Sequence, residues 1–140
     1  MKTKFSTAWK GSTQPRKQRK YRYNAPAHIR QKFMGVHLSK KLRDEYKTRS
    51  VDAKLGDKVK VLRGQFRGII GEINRIDRKK EVLYIEGVDQ AKKDGTKAPY
   101  PINPSNCLME TLNTKDKRRF KERNAKKEEK PAKKAKAKSE

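Results

Sequence analysis

With 140 residues, only 31% of them hydrophobic, the chain reads as one small domain with extensions and not as a globule with an ordinary large core. Its 40 Lys/Arg against 16 Asp/Glu give a formal net charge of +24, which opposes compaction and attracts polyanions. One cysteine excludes an internal disulfide framework, and no stretch reads as a membrane span, an apolar-faced anchor or a signal peptide, so the expected setting is the cytosol, or the nucleus and then the cytosol, and the expected polyanion is nucleic acid.

The charge is unevenly placed. Residues 1–50 hold 15 Lys/Arg and 2 Asp/Glu, residues 51–112 hold 12 and 9, and residues 113–140 hold 13 and 5. These segments read as a basic N-terminal extension with short helices, a nearly balanced central unit, and a basic C-terminal helix and disordered tail.

In the first segment, PRKQRKYRYNAP sets Arg16, Lys17, Arg19, Lys20 and Arg22 beside Tyr21 and Tyr23. Cations meet phosphates, and a phenol ring can stack on an unpaired base; a disordered basic tail is the bland alternative. Trp9 is large enough to meet RNA or protein, and the sequence leaves the two open. Pro26 opens a turn of helix through HIRQKF, carrying Arg30 and Lys32. Ser39 is placed to cap a helix over SKKLRDEYKT, with Lys40 and Lys41 in its first turn and Leu42 and Tyr46 on one face. All these cations are candidate RNA contacts.

The central segment alternates at strand period. In DKVKVL, Val59 and Val61 face one way and Lys58, Lys60 and Leu62 the other. IIGEINRI is a second strand, with a bulge, sharp bend or close backbone approach expected at Gly71. DRKK reads as a hairpin turn, VLYIEGV as a third strand, Asp94-Gly95 as a turn, and Cys107–Leu112 as a last strand. Four or five short strands in this length predict a mainly β fold, a small twisted barrel or an open meander covered by the arms. Gly64 and Gly68 permit a tight or left-handed connection between the first two strands. The loop between them presents Arg63 and Arg67 to phosphates, with Phe66 stacking on a base or folding back over the barrel end. Lys92, Lys93 and Lys97 around the Asp94-Gly95 turn form a further candidate RNA surface. Asn103, Ser105 and Asn106 are read as RNA contacts or as partners of turn backbone.

In the third segment, Thr114 caps a helix over TKDKRRFKERNAKKEEK that carries Arg118 and Arg119 as candidate contacts. Beyond Pro131 the tail is low in complexity.

Catalysis finds no support. His28 and His37 have no acidic neighbour in sequence, and one cysteine with two histidines lacks zinc-site spacing. GQFRGIIG lacks the GKS or GKT ending of a nucleotide loop. Asp52, Asp57, Glu72, Asp77, Glu81, Glu86 and Asp89 read as charge balance. No metal, cofactor or small-molecule substrate is implied.

The run Gly56-Asp57-Lys58-Val59-Lys60-Val61, followed by Gly64, Gly68, Gly71 and Ile73, closely resembles the KOW motif of small SH3-like barrels in ribosomal and transcription-elongation proteins. NAPAHIRQKFM, HLSKKLRDEYKTRS, YIEGV and PINPSNCLME, in this order, narrow the resemblance. Over roughly residues 22–120 the chain is similar to the archaeal and eukaryotic form of the universal KOW-containing family of the large ribosomal subunit, the universal ribosomal protein twenty-four family, called twenty-six in eukaryotes. The spacing from Gly64 to Gly71 is closer to archaeal members. The resemblance implies a structural role on large-subunit ribosomal RNA near its 5′ domain, close to the nascent-chain exit tunnel, in the cytosolic ribosome. It implies neighbouring ribosomal proteins as partners, and exit-site factors. A KOW-domain nucleic-acid-binding protein of transcription elongation is the alternative.

Overall fold

The computed structural model describes residues 5–116 and 119. Of the expected C-terminal helix only residues 114–116 and Arg119 are among these; its remainder, including Arg118, and the lysine-rich tail lie outside them.

The chain begins with a short 3-10 turn, Thr7–Gly11, and two helices, α1 (Pro15–Asn24) and α2 (Ala27–Lys32). Strand β1 (Gly35–Leu38), helix α3 (Lys40–Tyr46) and strand β2 (Ser50–Asp52) follow. The centre supplies β3 (Lys58–Val61), β4 (Ile70–Asp77), β5 (Val82–Ile85), β6 (Asp89–Ala91) and β7 (Lys97–Pro99), and the last strand is β8 (Cys107–Thr111). Six strands form one sheet in the order β2-β1-β8-β3-β4-β5, while β6 and β7 make a separate two-stranded ribbon. Among the described residues only β1 and β8 run parallel; the other pairs are antiparallel. The architecture is therefore mixed, with short helices around a β-sheet. Where a barrel is expected, the sheet forms a ladder that starts at β2 and stops at β5. Beyond β5, Leu83 and Ile102 exchange both backbone hydrogen bonds (2.8 and 2.9 Å).

Alternation explains the core. Val59 and Val61 are fully buried between the outward Lys58 and Lys60. Val36, Leu38, Val51, Ile73, Leu83, Ile85, Val88 and Met109 join them from β1, β2, β4, β5, β8 and the loop after β5. The N-terminal fifty residues are more than an extension of this sheet. Their GVHL becomes β1, which buries Val36 and Leu38 between β2 and β8. Ser39 stands at the start of α3 without a side-chain cap; its amide instead donates to the Met109 carbonyl (2.9 Å), and Leu42 and Tyr46 pack on the core.

Gly71 makes the close approach expected of it. A Cβ there would fall 2.3 Å from the Glu86 carbonyl oxygen and 2.9 Å from Ile85 Cγ2. The irregularity in β4 lies further on, where the pairing with β5 shifts between Ile73 and Arg75.

A second cluster stands apart from the sheet core. Tyr21, Ala25 and Ile29 are buried together, with Phe5, Trp9 and Phe33 packed around them. Tyr21 lies 5.1 Å from Phe5 and 6.0 Å from Phe33 between ring centroids. α1 and α2 are thus folded into a small aromatic unit.

Candidate nucleic-acid interface

Three supports carry most of the exposed candidate cations. The first is α1. Its N-terminal Pro15 needs no amide partner, and Tyr21 is its one buried residue. Arg16, Lys17, Arg19 and Lys20 are all exposed. Tyr21 and Tyr23, two residues apart, point to different surroundings: Tyr21 is 5% exposed inside the cluster and Tyr23 is 81% exposed. The stacking read for Tyr21 is corrected on this ground, because its ring is packed against Phe5 and Phe33. Of the two, Tyr23 keeps an open ring.

Arg22 and Arg30 act partly within the protein. Arg22 pairs with Glu81 and lies 5.6 Å over the Phe33 ring. Arg30 donates to the carbonyls of Tyr23 (2.6 Å), Ala25 (3.0 Å) and Lys79 (3.3 Å). Together they hold α1 and α2 against the turn between β4 and β5. That turn is itself fixed by Asp77, whose carboxylate accepts from the amides of Lys79 (2.9 Å) and Lys80 (3.0 Å). The Lys80 amide first, then the Lys79 amide and the charges of Lys80 and Arg75, hold the Asp77 carboxyl below its ordinary value against an opposing effect of desolvation. Lys32 on α2 and Lys40 and Lys41 on α3 are exposed.

The second support is the loop between β3 and β4. Gly64 and Gly68 adopt φ of +93° and +94°, a region that side-chain-bearing residues rarely enter. The Gly68 amide donates to the Val61 carbonyl (2.8 Å) and the Arg67 amide to the Gly64 carbonyl (3.1 Å), so the loop is closed by its own backbone. Arg63, Gln65 and Arg67 are exposed to solvent. Phe66 is half-buried, its ring centroid 5.0 Å from that of Tyr100. Of the two positions read for it, folded back or outward, Phe66 takes the folded-back one and fastens the loop to the sheet.

The third support is the ribbon of β6 and β7. Residues 89–97 are exposed throughout, including Lys92, Lys93 and Lys97. Gly95, at φ +76°, turns the tip, and the Lys92 amide donates to the Thr96 carbonyl (2.9 Å). Nearby, Asn103 Oδ1 accepts from the Ser105 amide (3.1 Å) and hydroxyl (2.9 Å), so this asparagine satisfies turn groups.

Arg119 lies elsewhere. Its side chain is 3% exposed and grips the fully buried Asp57 through both terminal nitrogens, at 2.6 and 2.7 Å. Asp57 also accepts from the amides of Lys54 (2.8 Å) and Asn113 (2.8 Å), and Arg119 donates to the Asp52 carbonyl (2.7 Å). Arg119 is therefore corrected from a phosphate contact to a buried clamp, and Asp57 from a solubilising charge to its anchor. Cys107 is buried, and burial pushes its thiol up to about 12.

A model of the family described as ribosomal proteins L26 in eukaryotes and L24 in archaea matches residues 12–126. The large ribosomal subunit protein uL24 of Methanosarcina barkeri (strain Fusaro / DSM 804) is 50% identical over 108 residues, covering 77% of this chain and 93% of that protein. The family match spans α1, the six-stranded sheet and the ribbon. The chain belongs to this archaeal and eukaryotic family of structural proteins of the large ribosomal subunit.

Proposed function

We propose that the protein binds and stabilises large-subunit ribosomal RNA near its 5′ domain, on the solvent side close to the nascent-chain exit tunnel, and takes part in subunit assembly. Its contacts are the exposed cations of α1, of the β3–β4 loop and of the β6–β7 ribbon, with Lys32, Lys40 and Lys41 beside them. Arg118, outside the described residues, extends the same set of basic contacts. Binding is electrostatic and geometric: cations displace counterions from phosphates, and RNA helices are met through shape and backbone. Arg63 and Arg67 suit bidentate phosphate clamping, while the lysines act as mobile point charges. Neighbouring ribosomal proteins, and factors at the exit site, are the expected protein partners, and the cytosolic ribosome is the expected location. The role is structural, not catalytic.

The observation that carries this reading is the β3–β4 loop, where two arginines stand exposed on a backbone held by two left-handed glycines and by Phe66 on Tyr100. A loop fixed to a sheet in this way offers charge with little ordering cost at binding. In-cell ultraviolet crosslinking, with the protein purified under denaturing conditions and its RNA sequenced, tests the proposal. Crosslinks concentrated in the 5′ domain of large-subunit RNA are expected. Crosslinks scattered over nascent transcripts would refute it in favour of a transcription-associated role.

A further inference from the structure

Trp9 is the chain's single tryptophan, and the RNA-binding cations described above leave it without a role. It is half-buried, packs edge-to-face on Phe5 at 6.1 Å between ring centroids, and lines a cavity of about 340 Å³ together with Ala8, Ser12, Lys17 and Lys20. That volume lies at the small end of the roughly 300–1,000 Å³ usual for ligand pockets. The cavity is built, not incidental. Gln18 donates its side-chain amide to the carbonyls of Lys10 (3.0 Å) and Ser12, which locks the 3-10 turn carrying Trp9 onto α1. Lys17 and Lys20 are three residues apart on α1 and so share one face.

The charge around the cavity is of one sign. Between Phe5 and Arg43 the sequence holds no Asp or Glu. The acid that α1 does meet, Glu81, is taken by Arg22. Neither Lys17 nor Lys20 has an ion-pair partner among the described residues. An indole beside two uncompensated ammonium groups matches one ligand chemistry, a flat aromatic ring joined to an anion. An unpaired nucleotide has that composition, and stacking on an aromatic side chain tolerates any base.

We propose that this cavity receives one unpaired nucleotide of the large-subunit RNA, its base against the Trp9 indole and its phosphate between Lys17 and Lys20. The site rests on the RNA-binding reading above and adds a stacking contact to its electrostatic ones.

The single tryptophan makes the test direct. The full chain is titrated with an end-labelled 5′-domain transcript of large-subunit ribosomal RNA, following label anisotropy and Trp9 emission together. Trp9 emission should fall in step with the anisotropy rise, and bound RNA should shield Trp9 from acrylamide. Trp9→Ala should weaken binding about ten-fold, the scale of one lost stack, and Trp9→Phe by much less. Because Trp9→Ala also loosens the contact with Phe5, the exposed pair Lys17→Gln and Lys20→Gln provides a second variant, and it should reduce both the affinity and the extent of quenching. Anisotropy that rises while Trp9 emission and acrylamide access stay unchanged would overturn the stacking site and leave the RNA-binding reading standing. No anisotropy rise would overturn that reading and the site with it.

Discussion

Removing either partner of the Asp57–Arg119 pair leaves a buried charge without compensation, since the two side chains are 0% and 3% exposed. Asp57→Ala should therefore cost about 3–5 kcal/mol, the usual scale for breaking a buried pair. Urea unfolding should show it as a lower midpoint at unchanged slope, and a loss below about 1 kcal/mol would mean that Arg119 escapes to water at little cost. Two glycines give a second contrast at this scale. Gly71→Val drives a side chain into the Glu86 carbonyl, a backbone atom that cannot yield cheaply, so a loss of at least about 3 kcal/mol is expected. Gly64→Ala meets nothing within 4 Å and bears only the strain of its positive φ, on the order of 1–2 kcal/mol. Equal losses at the two sites would remove the steric account of Gly71. Cys107 adds a pH dependence. Its folded thiol titrates near 12, above the ordinary 9.0, so the folded state holds the proton longer than the unfolded one. Its contribution to stability is complete below pH 9 and is lost as pH rises from there toward 12. At about pH 8, below both values, an alkylating reagent should leave Cys107 unmodified in the folded protein and modify it fully in urea.

Strands β3, β4, β5 and β8 were legible because each is a short alternating or continuously apolar run beside a turn or glycine signal, as Val59 and Val61 are between lysines and Val82–Ile85 after the β4–β5 turn. β1 was not. GVHL is four residues long with an exposed His37, and its place depends on a parallel partner, β8, which pairs His37 with Leu108 and which no local pattern announces. α1 was hidden for a different reason: half of its residues are cations, and its buried ring, Tyr21, gains meaning only when Phe5 and Phe33 arrive from outside the helix. A helix held by tertiary rings behaves unlike a basic tail that orders on RNA. Amide hydrogen exchange on the free protein should show protection across Pro15–Asn24, and Tyr21→Ala should abolish it there while leaving β3 and β4 protected. Exchange of α1 at the rate of an unstructured peptide in the parent protein would show that this unit forms only with its partner.

At the scale of the molecule, the sequence identifies where positive charge is plentiful but not which cations are free to use it. Arg22 reaches Glu81 and Arg119 reaches Asp57 across 59 and 62 residues, so residue type alone cannot separate them from Arg63 or Arg67. The fold makes the separation, committing some arginines to internal docking and leaving others exposed. That division has a measurable consequence. Each phosphate neutralised by an exposed cation releases a counterion, so the logarithm of the RNA-binding constant falls linearly with the logarithm of salt, by about 0.7–0.9 per contact. Arg63→Ala with Arg67→Ala should therefore lower the steepness of that line by roughly 1.5 while leaving stability within about 0.5 kcal/mol of the parent, because neither side chain is buried. Arg22→Ala makes the informative comparison. Its side chain is half exposed but paired with Glu81, so it should shift the salt slope by less than one contact. Were Arg22 to change the slope as much as Arg63 and Arg67 together, the pair with Glu81 would have to open on binding, and α1 would meet RNA in a different position from the one it holds against the β4–β5 turn.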